Sequence, residues 1–428
     1  MTQRPNPVDG CFLQYEREHH GVRPYIGVVL HATGSAPKPS VVRQQVADRI
    51  ERMPTLSCKV TKQGRRTVWA TDAAFDPYDH VHEIRLPAGS ATLDTTVAAL
   101  LGVPLPEDAP RWGIWLIHGY ADHEYVLFYR AHHAAQDGQA LLDAVTALFG
   151  TGPPLAPRPA VTARAVRRPW RQRIPARAVA RSLADAVRGP ALSWPTQDTL
   201  TGEPRLVSAA VPVSWLRETG RALGASANDV CLAALAHALR AWVPAGWIAA
   251  DQRGRDLQVS LPVSLREPQE RFAVGNRLSA VRIPLSFWED SPTARVAAIA
   301  RATGRARAAD TRRVLQAQLR LPESAVYRFL RQGRRMRNGL DTSGLLQLHG
   351  RLALGADPIE TAVATLFLHG DHPFAVSFLG YAGQVVVCFT IDRGFEDVGN
   401  LAALWASAVE RLWHQNVAKS TAAQGSQP

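Results

Sequence analysis

The run His132-His133-Ala134-Ala135-Gln136-Asp137-Gly138 lies between two segments of different periodicity. Before it, residues 125–131 are rich in β-branched and aromatic side chains, which suit a strand. After it, Leu141, Val145, Leu148 and Phe149 recur at helical spacing. Asp137 stands where an N-cap accepts from the amides of a first helical turn. The sequence therefore predicts the two histidines at a strand-to-helix turn, where a side chain can leave the sheet and face a cleft.

Outward from this turn, strands and helices alternate in both directions. Residues 25–32 read as a strand, and residues 41–50 as a helix with Ser40 placed as its cap. In the second half, residues 226–243 read as a helix, with Asn228 and Asp229 in its first turn and Leu235, Leu239 and Trp242 on one face. Residues 257–263 and 278–284 are predicted strands. Residues 374–379 and 385–391 form a hairpin around Gly380-Tyr381-Ala382-Gly383. Strands mixed with helices in each half indicate an α/β fold built of α+β layers.

At 428 residues the chain exceeds the roughly 250 to 300 at which one hydrophobic core stops growing, so two domains are expected. The composition shift supplies the boundary. From Gly150 to about Pro195 the chain turns to Pro, Ala and Arg, with Pro153, Pro154, Pro157 and Pro159 breaking any helix. The division is an N-terminal subdomain over residues 1–150, a crossover linker over 151–205 and a C-terminal subdomain over 206–428.

The chemistry available at the turn is proton transfer. A histidine with its unperturbed pKa near 6.5 can take a proton from an attacking hydroxyl and return it to a leaving thiolate. His133 is assigned this role, with His132 in a supporting, packing role. Asp137 is read as a structural residue that caps the helix and can pair with an arginine to hold the loop.

The string matches the HHxxxDG motif, and here the chain resembles the chloramphenicol acetyltransferase-like superfamily, which includes peptide-synthetase condensation domains. Within it, the chain resembles the bacterial wax ester synthase/diacylglycerol acyltransferase family. Asn6-Pro7-Val8-Asp9 with Phe12-Leu13 is similar to that family's opening, and Phe75-Asp76-Pro77-Tyr78-Asp79-His80-Val81 to its early strand segment. Asn228-Asp229-Val230, Leu261-Pro262-Val263-Ser264-Leu265-Arg266, Gly275-Asn276-Arg277-Leu278-Ser279 and the stretch from Tyr381 to Arg393 follow in the family's order. The stretch Asp341-Thr342-Ser343-Gly344-Leu345 stands where the lipid-forming members carry Asn-x-Pro-Gly-Pro.

The resemblance implies two chloramphenicol acetyltransferase-like subdomains forming a V, with a tunnel between them and His133 midway along it. It implies direct transfer from an acyl thioester to a hydroxyl acceptor, without a covalent acyl-enzyme. No Gly-x-Ser-x-Gly nucleophile elbow is present in the sequence. By the same resemblance Arg266 is the partner of Asp137, Asn276 a contact near the tunnel, and Gly138 part of the supporting motif. No cofactor is expected to be covalently bound; acyl-CoA or a phosphopantetheine thioester is the co-substrate. A free-standing condensation enzyme, taking its acyl group from an acyl or peptidyl carrier protein to an alcohol or amine, is the alternative.

The remaining features exclude more than they assign. His80, His82, His132 and His133 do not form a metal-ligand pattern, and the four scattered cysteines are read as reduced thiols. Net charge is +12, which allows an anionic partner, but only four lysines occur among the basic residues and no nucleic-acid-binding motif accompanies them. No nucleic-acid partner is expected, while peripheral membrane association stays open. With no secretory signal at Met1 to Gly10 and no apolar run near the ~20 residues of a membrane span, the expected location is cytoplasmic.

Overall fold

The computed structural model describes residues 2–19, 21–88, 93–153, 177, 179–180, 182, 200–243, 254–267, 270–328, 339–369, 372–395 and 399–418. The Pro/Ala/Arg-rich crossover lies almost wholly outside the described residues, as do residues 329–338.

Two mixed sheets of six strands each dominate the described residues. The first runs in the order Ala353–Leu354, Asp357–Thr365, Tyr25–Thr33, Glu124–His132, Trp112–His118, Val81–Arg85. The second runs Leu278–Pro284, Gln258–Ser264, Gly339–Gln347, Phe374–Tyr381, Gln384–Asp392, Pro204–Pro212. A smaller sheet, Thr2–Gln3 with Arg66–Thr71 and Cys58–Gln63, lies beside the first. Of these two six-stranded sheets, the first is drawn from strands within residues 25–132 and the second from strands within residues 204–392, with one exception. Ala353–Leu354 and Asp357–Thr365 come from the second half of the chain yet pair into the first sheet, Val363 lying opposite Val29. Their alternating buried and part-buried residues supply an apolar face that the first sheet's core takes up.

Each sheet buries one face under helices. Gly138–Phe149 packs on the first, with Leu141, Leu142, Val145, Leu148 and Phe149 buried around the sheet's Val28, Leu30 and Leu127. Ala227–Trp242, Pro292–Arg307 and Leu401–Trp413 cover the second. The helix Ala227–Trp242 opens with a capping box, Ser226 accepting from the Asp229 amide while the Asp229 carboxylate accepts from the Ser226 amide. The expected cap at Ser40 is not formed. That helix starts two residues earlier, at Pro39, after Lys38, which makes no side-chain cap bond. Proline holds the φ a first helical residue needs and lacks an N–H that would be left unpaired at that position.

The hairpin Phe374–Tyr381 to Gln384–Asp392 closes on Ala382 and Gly383, both with positive φ (48° and 84°). Two such residues give the turn whose twist matches the strands. All four cysteines are free and buried. Among the described residues, no single helix is long and apolar enough to cross a membrane.

Candidate active site

The strand Glu124–His132 ends at the first histidine, and the turn between it and the helix Gly138–Phe149 presents the second. The two imidazoles face different partners. His132 is fully buried; its Nδ1 accepts from the Ala134 amide (2.9 Å), so Nε2 carries the proton and donates to Glu16 Oε2 (3.2 Å). Glu16 also meets Arg111 Nη1 at 2.6 Å. Burial works against the Glu16 charge, but His132 and Arg111 outweigh it and hold its carboxyl down at about 2. His132 thus ties the turn to the first helix, Pro7–Glu18.

His133 is half-buried, its amide donating to Pro24 O (2.7 Å) and its ring stacked on Phe12 (4.2 Å between centroids, 15° between planes). Phe367 meets the same ring edge-on at 6.2 Å. His133 Nδ1 lies 3.0 Å from Asn276 Oδ1. The direction of that bond follows from the other end of the amide. Asn276 Nδ2 is 2.9 Å from Asp9 Oδ1, 2.7 Å from His133 O and 3.3 Å from Ala134 O, all acceptors. Turning the amide over would set its oxygen against three oxygens, so Oδ1 faces the imidazole and Nδ1–H donates to it. Nε2 is left with its lone pair. Burial lowers the His133 pKa below its ordinary value, opposed by hydrogen bonds with its own backbone and Asn276 and by the charge of Asp137. Burial therefore favours the neutral form of the ring.

Asp137 acts at the next position outward. Oδ1 accepts from the Ala140 amide (2.9 Å) as the helix cap, and Oδ2 accepts from Arg266 Nη2 (2.7 Å) and the Arg277 amide (2.8 Å). The Asp137 and Arg266 side chains are each 4% exposed. The same guanidinium donates to the carbonyls of Glu270 (2.8 Å), Ala273 (3.1 Å) and Gly275 (3.0 Å). Arg266 thereby gathers the loop that delivers Asn276 to His133. Gly138 stands against Leu346 of the second sheet, and a Cβ there would come within 3.3 Å of the leucine methyl carbons. Gly275 is constrained more tightly: its φ is +83°, and a Cβ would collide with the Asp9 carboxylate.

The structure therefore brings His132, His133, Asp137, Gly138, Arg266 and Asn276 into one connected arrangement. Sequence reasoning missed the contribution of the first helix, which supplies Asp9, Phe12 and Glu16. Asp9 and Phe12 lie in the stretch that resembles the family's opening, and all three share the i, i+3, i+7 spacing that places them along one side of a helix.

Residues 6–193 match the wax ester synthase/diacylglycerol acyltransferase catalytic domain family. The fold is that of a wax ester synthase/diacylglycerol acyltransferase from Marinobacter aquaeolei VT8 (TM-score 0.61, 16% identity, 97% of this chain and 99% of that one). It is equally that of the first condensation domain of the CDA synthetase (TM-score 0.65, 16% identity, 97% and 96%). Over residues 6–193 the chain is thus similar to the wax ester synthase/diacylglycerol acyltransferase family, and its fold is shared with a member of that family and with condensation domains. A candidate diacylglycerol O-acyltransferase of Mycobacterium tuberculosis (strain ATCC 25618 / H37Rv) is 28% identical over 59% of this chain. That match spans 60% of the relative's own length. A like-named protein of Mycobacterium bovis is 25% identical over 95% of this chain and 94% of that one. In this chain the HHxxxDG string runs from the end of the strand Glu124–His132 into the helix Gly138–Phe149.

Proposed function

We propose that this chain is an acyltransferase that moves an acyl group from acyl-CoA to a hydroxyl acceptor, with Nε2 of His133 as the general base. One observation carries the reading. Asn276 Oδ1 accepts from His133 Nδ1, which leaves Nε2 unprotonated on a half-buried ring at the end of the motif strand. Nε2 takes the acceptor's hydroxyl proton while the oxygen attacks the thioester carbonyl carbon. As the C–S bond breaks, the imidazolium returns that proton to the departing sulfur, giving an ester and a free thiol. The attack is direct, so no acyl group is carried on the protein. The family match over residues 6–193 and the candidate O-acyltransferases among its relatives support this class of reaction. We infer from the family resemblance that donor and acceptor reach the ring through a channel between the two halves of the chain.

A second donor class has its own support. The stretch Asp341-Thr342-Ser343-Gly344-Leu345 departs from the lipid-forming pattern, and the fold is shared with condensation domains. Under that reading the thioester is carried on a carrier-protein phosphopantetheine arm and the acceptor is an alcohol or an amine. A starter condensation domain of rhizomide synthetase, with 13% identity and a TM-score of 0.63, was solved in complex with C8-CoA. The fold therefore accommodates a coenzyme A thioester in at least one of its members.

The test is acceptor-dependent release of free thiol from acyl-CoA donors, with alcohols, diacylglycerol and amines offered in turn. His133→Ala is expected to lower turnover by at least about a hundredfold, the lower end of what a positioned base contributes. Turnover near wild type in that variant would refute the mechanism.

A further inference from the structure

We propose that Asp9 is a positioning residue of this reaction: through Asn276, it fixes the proton of His133 on Nδ1 and so keeps Nε2 available as the base. The inference rests on the reading of His133 as the base, and its test can be read without turnover.

Asp9 is fully buried in the first turn of the helix Pro7–Glu18, and its carboxylate accepts from four donors. Oδ1 receives the Asn276 amide (2.7 Å) and Asn276 Nδ2 (2.9 Å); Oδ2 receives the Asn6 amide (3.0 Å) and Trp69 Nε1 (3.3 Å). Asn6 closes the arrangement from the other side, its Nδ2 donating to Asn276 O. A carboxylate is the side chain that can accept on both oxygens at once. It therefore grips Asn276 by backbone and side chain together, which fixes which way the amide points. The amide direction in turn decides which imidazole nitrogen can keep a hydrogen.

Three chain segments meet here: the first helix, the motif turn and the loop at residues 275–277. Gly275 is what lets them meet, because its positive φ and lack of a side chain bring the backbone against the Asp9 carboxylate. The backbone of that loop is also tied to the turn directly, the Gly275 amide donating to Ala135 O (2.9 Å).

Asp9→Asn keeps the shape and removes this property. An amide accepts on one side only, so whichever way it turns, two of the four donors face an NH2 group. Asn276 then loses its grip, and His133 loses the partner that selects Nδ1–H. In an enzyme whose catalytic histidine adopts the wrong tautomer, turnover falls by up to about ten-thousandfold, so a loss of at least about tenfold is expected here. The acceptor's KM should change by less than about twofold, because Asp9 does not touch substrate.

The experiment is long-range proton–nitrogen NMR on protein labelled with 15N in its histidines. The His133 ring is assigned by the signals missing from His133→Ala. In the wild type the neutral ring should carry its proton on Nδ1. In Asp9→Asn and in Asn276→Ala it should lose that single form, and turnover should fall. Adding Asp9→Asn to Asn276→Ala should then cost nothing further, since a residue acting through another has no separate effect once that other is gone. A proton on Nε2 in the neutral wild-type ring overturns the proposal without any variant. Unchanged tautomer and kcat in Asp9→Asn, or fully additive losses in the double variant, also overturn it. Should His133→Ala keep its transferase activity, the base assignment fails, while the tautomer result still reports on Asp9.

Discussion

Removal of the Asp137 carboxylate should cost stability by an amount that the local geometry sets. In Asp137→Ala the helix Gly138–Phe149 loses its cap bond to Ala140, worth about 1 kcal/mol. Arg266 loses its counter-charge at a site where both side chains are 4% exposed. Breaking a buried pair from one side costs about 3 to 5 kcal/mol. Arg266 keeps the carbonyls of Glu270, Ala273 and Gly275 as acceptors, which argues for less than the low end of that range, about 2 to 3 kcal/mol. The sum is about 3 to 4 kcal/mol, or a fall in Tm of roughly 6 to 16 °C for a lobe of this size. Asp137→Asn keeps the cap oxygen and should lose about half as much. Thermal unfolding followed by circular dichroism measures both, with Arg266→Met and the double variant completing the cycle; the coupling between the two sites should be about 1 to 3 kcal/mol. An Asp137→Ala protein that melts within about 2 °C of wild type would show that the pair is not what holds the loop, and the reasoning would fail.

Other outcomes follow from the same geometry. Burial pushes the Asp9 carboxyl up to about 6, opposed by its hydrogen bonds with Asn276 and Asn6, while burial lowers His133 below its ordinary value. Asp9 therefore takes up a proton as pH falls through about 6, and His133 only below its ordinary value, so both groups shape the acid side of kcat/KM; an acid limb that persists unchanged in Asp9→Asn would count against this. For folding, Glu16 is depressed to about 2, so its pair with His132 and Arg111 stabilises fully above the unfolded value of 4.5 and is lost as pH falls toward 2. Glu16→Gln should accordingly be less sensitive to acid over pH 4.5 to 2 in an unfolding titration, and equal sensitivity would refute the linkage. Gly275→Ala forces a side chain into positive φ and against Asp9, so activity should fall even in the fraction that remains folded. Finally, Arg130 is fully buried over Tyr25 (4.7 Å) and Trp115 (4.4 Å), and none of its guanidinium nitrogens has a hydrogen-bond partner among the described residues. Arg130→Met should raise stability by about 1 kcal/mol or more, since the cation–π contacts offset only part of the desolvation; a drop in Tm would argue that the charge is needed.

Elements with strong local signals were legible in the sequence. Residues 278–284 form the strand read from their composition, and the helix after Asp137 begins and is capped where its spacing and cap residue placed it. The boundary at Ser40 was misjudged because Pro39, with its φ fixed in the helical range, starts the helix and Ser40 lies inside it. Within the site, His132, His133 and Asp137 announce themselves by sharing one short string. Arg266 and Asn276 came from family likeness, since nothing local to a strand end or a turn says that it will meet a residue more than a hundred positions away. Asp9, Phe12 and Glu16 were invisible as site residues for the same reason. Each looks like an ordinary position on an amphipathic helix, and its role exists only once that helix lies across the turn.

The strand Asp357–Thr365 has a consequence for any attempt to cut this molecule in two. A gene divided within the crossover would encode a first fragment whose sheet ends at Tyr25–Thr33, with that strand's outer row of amides and carbonyls bare. Such an edge is a template for unwanted pairing. The second fragment would carry a strand with no sheet of its own to join. Made apart, the pieces should aggregate; made together, each holds what completes the other, and the missing strand could serve as the handle by which they reassemble.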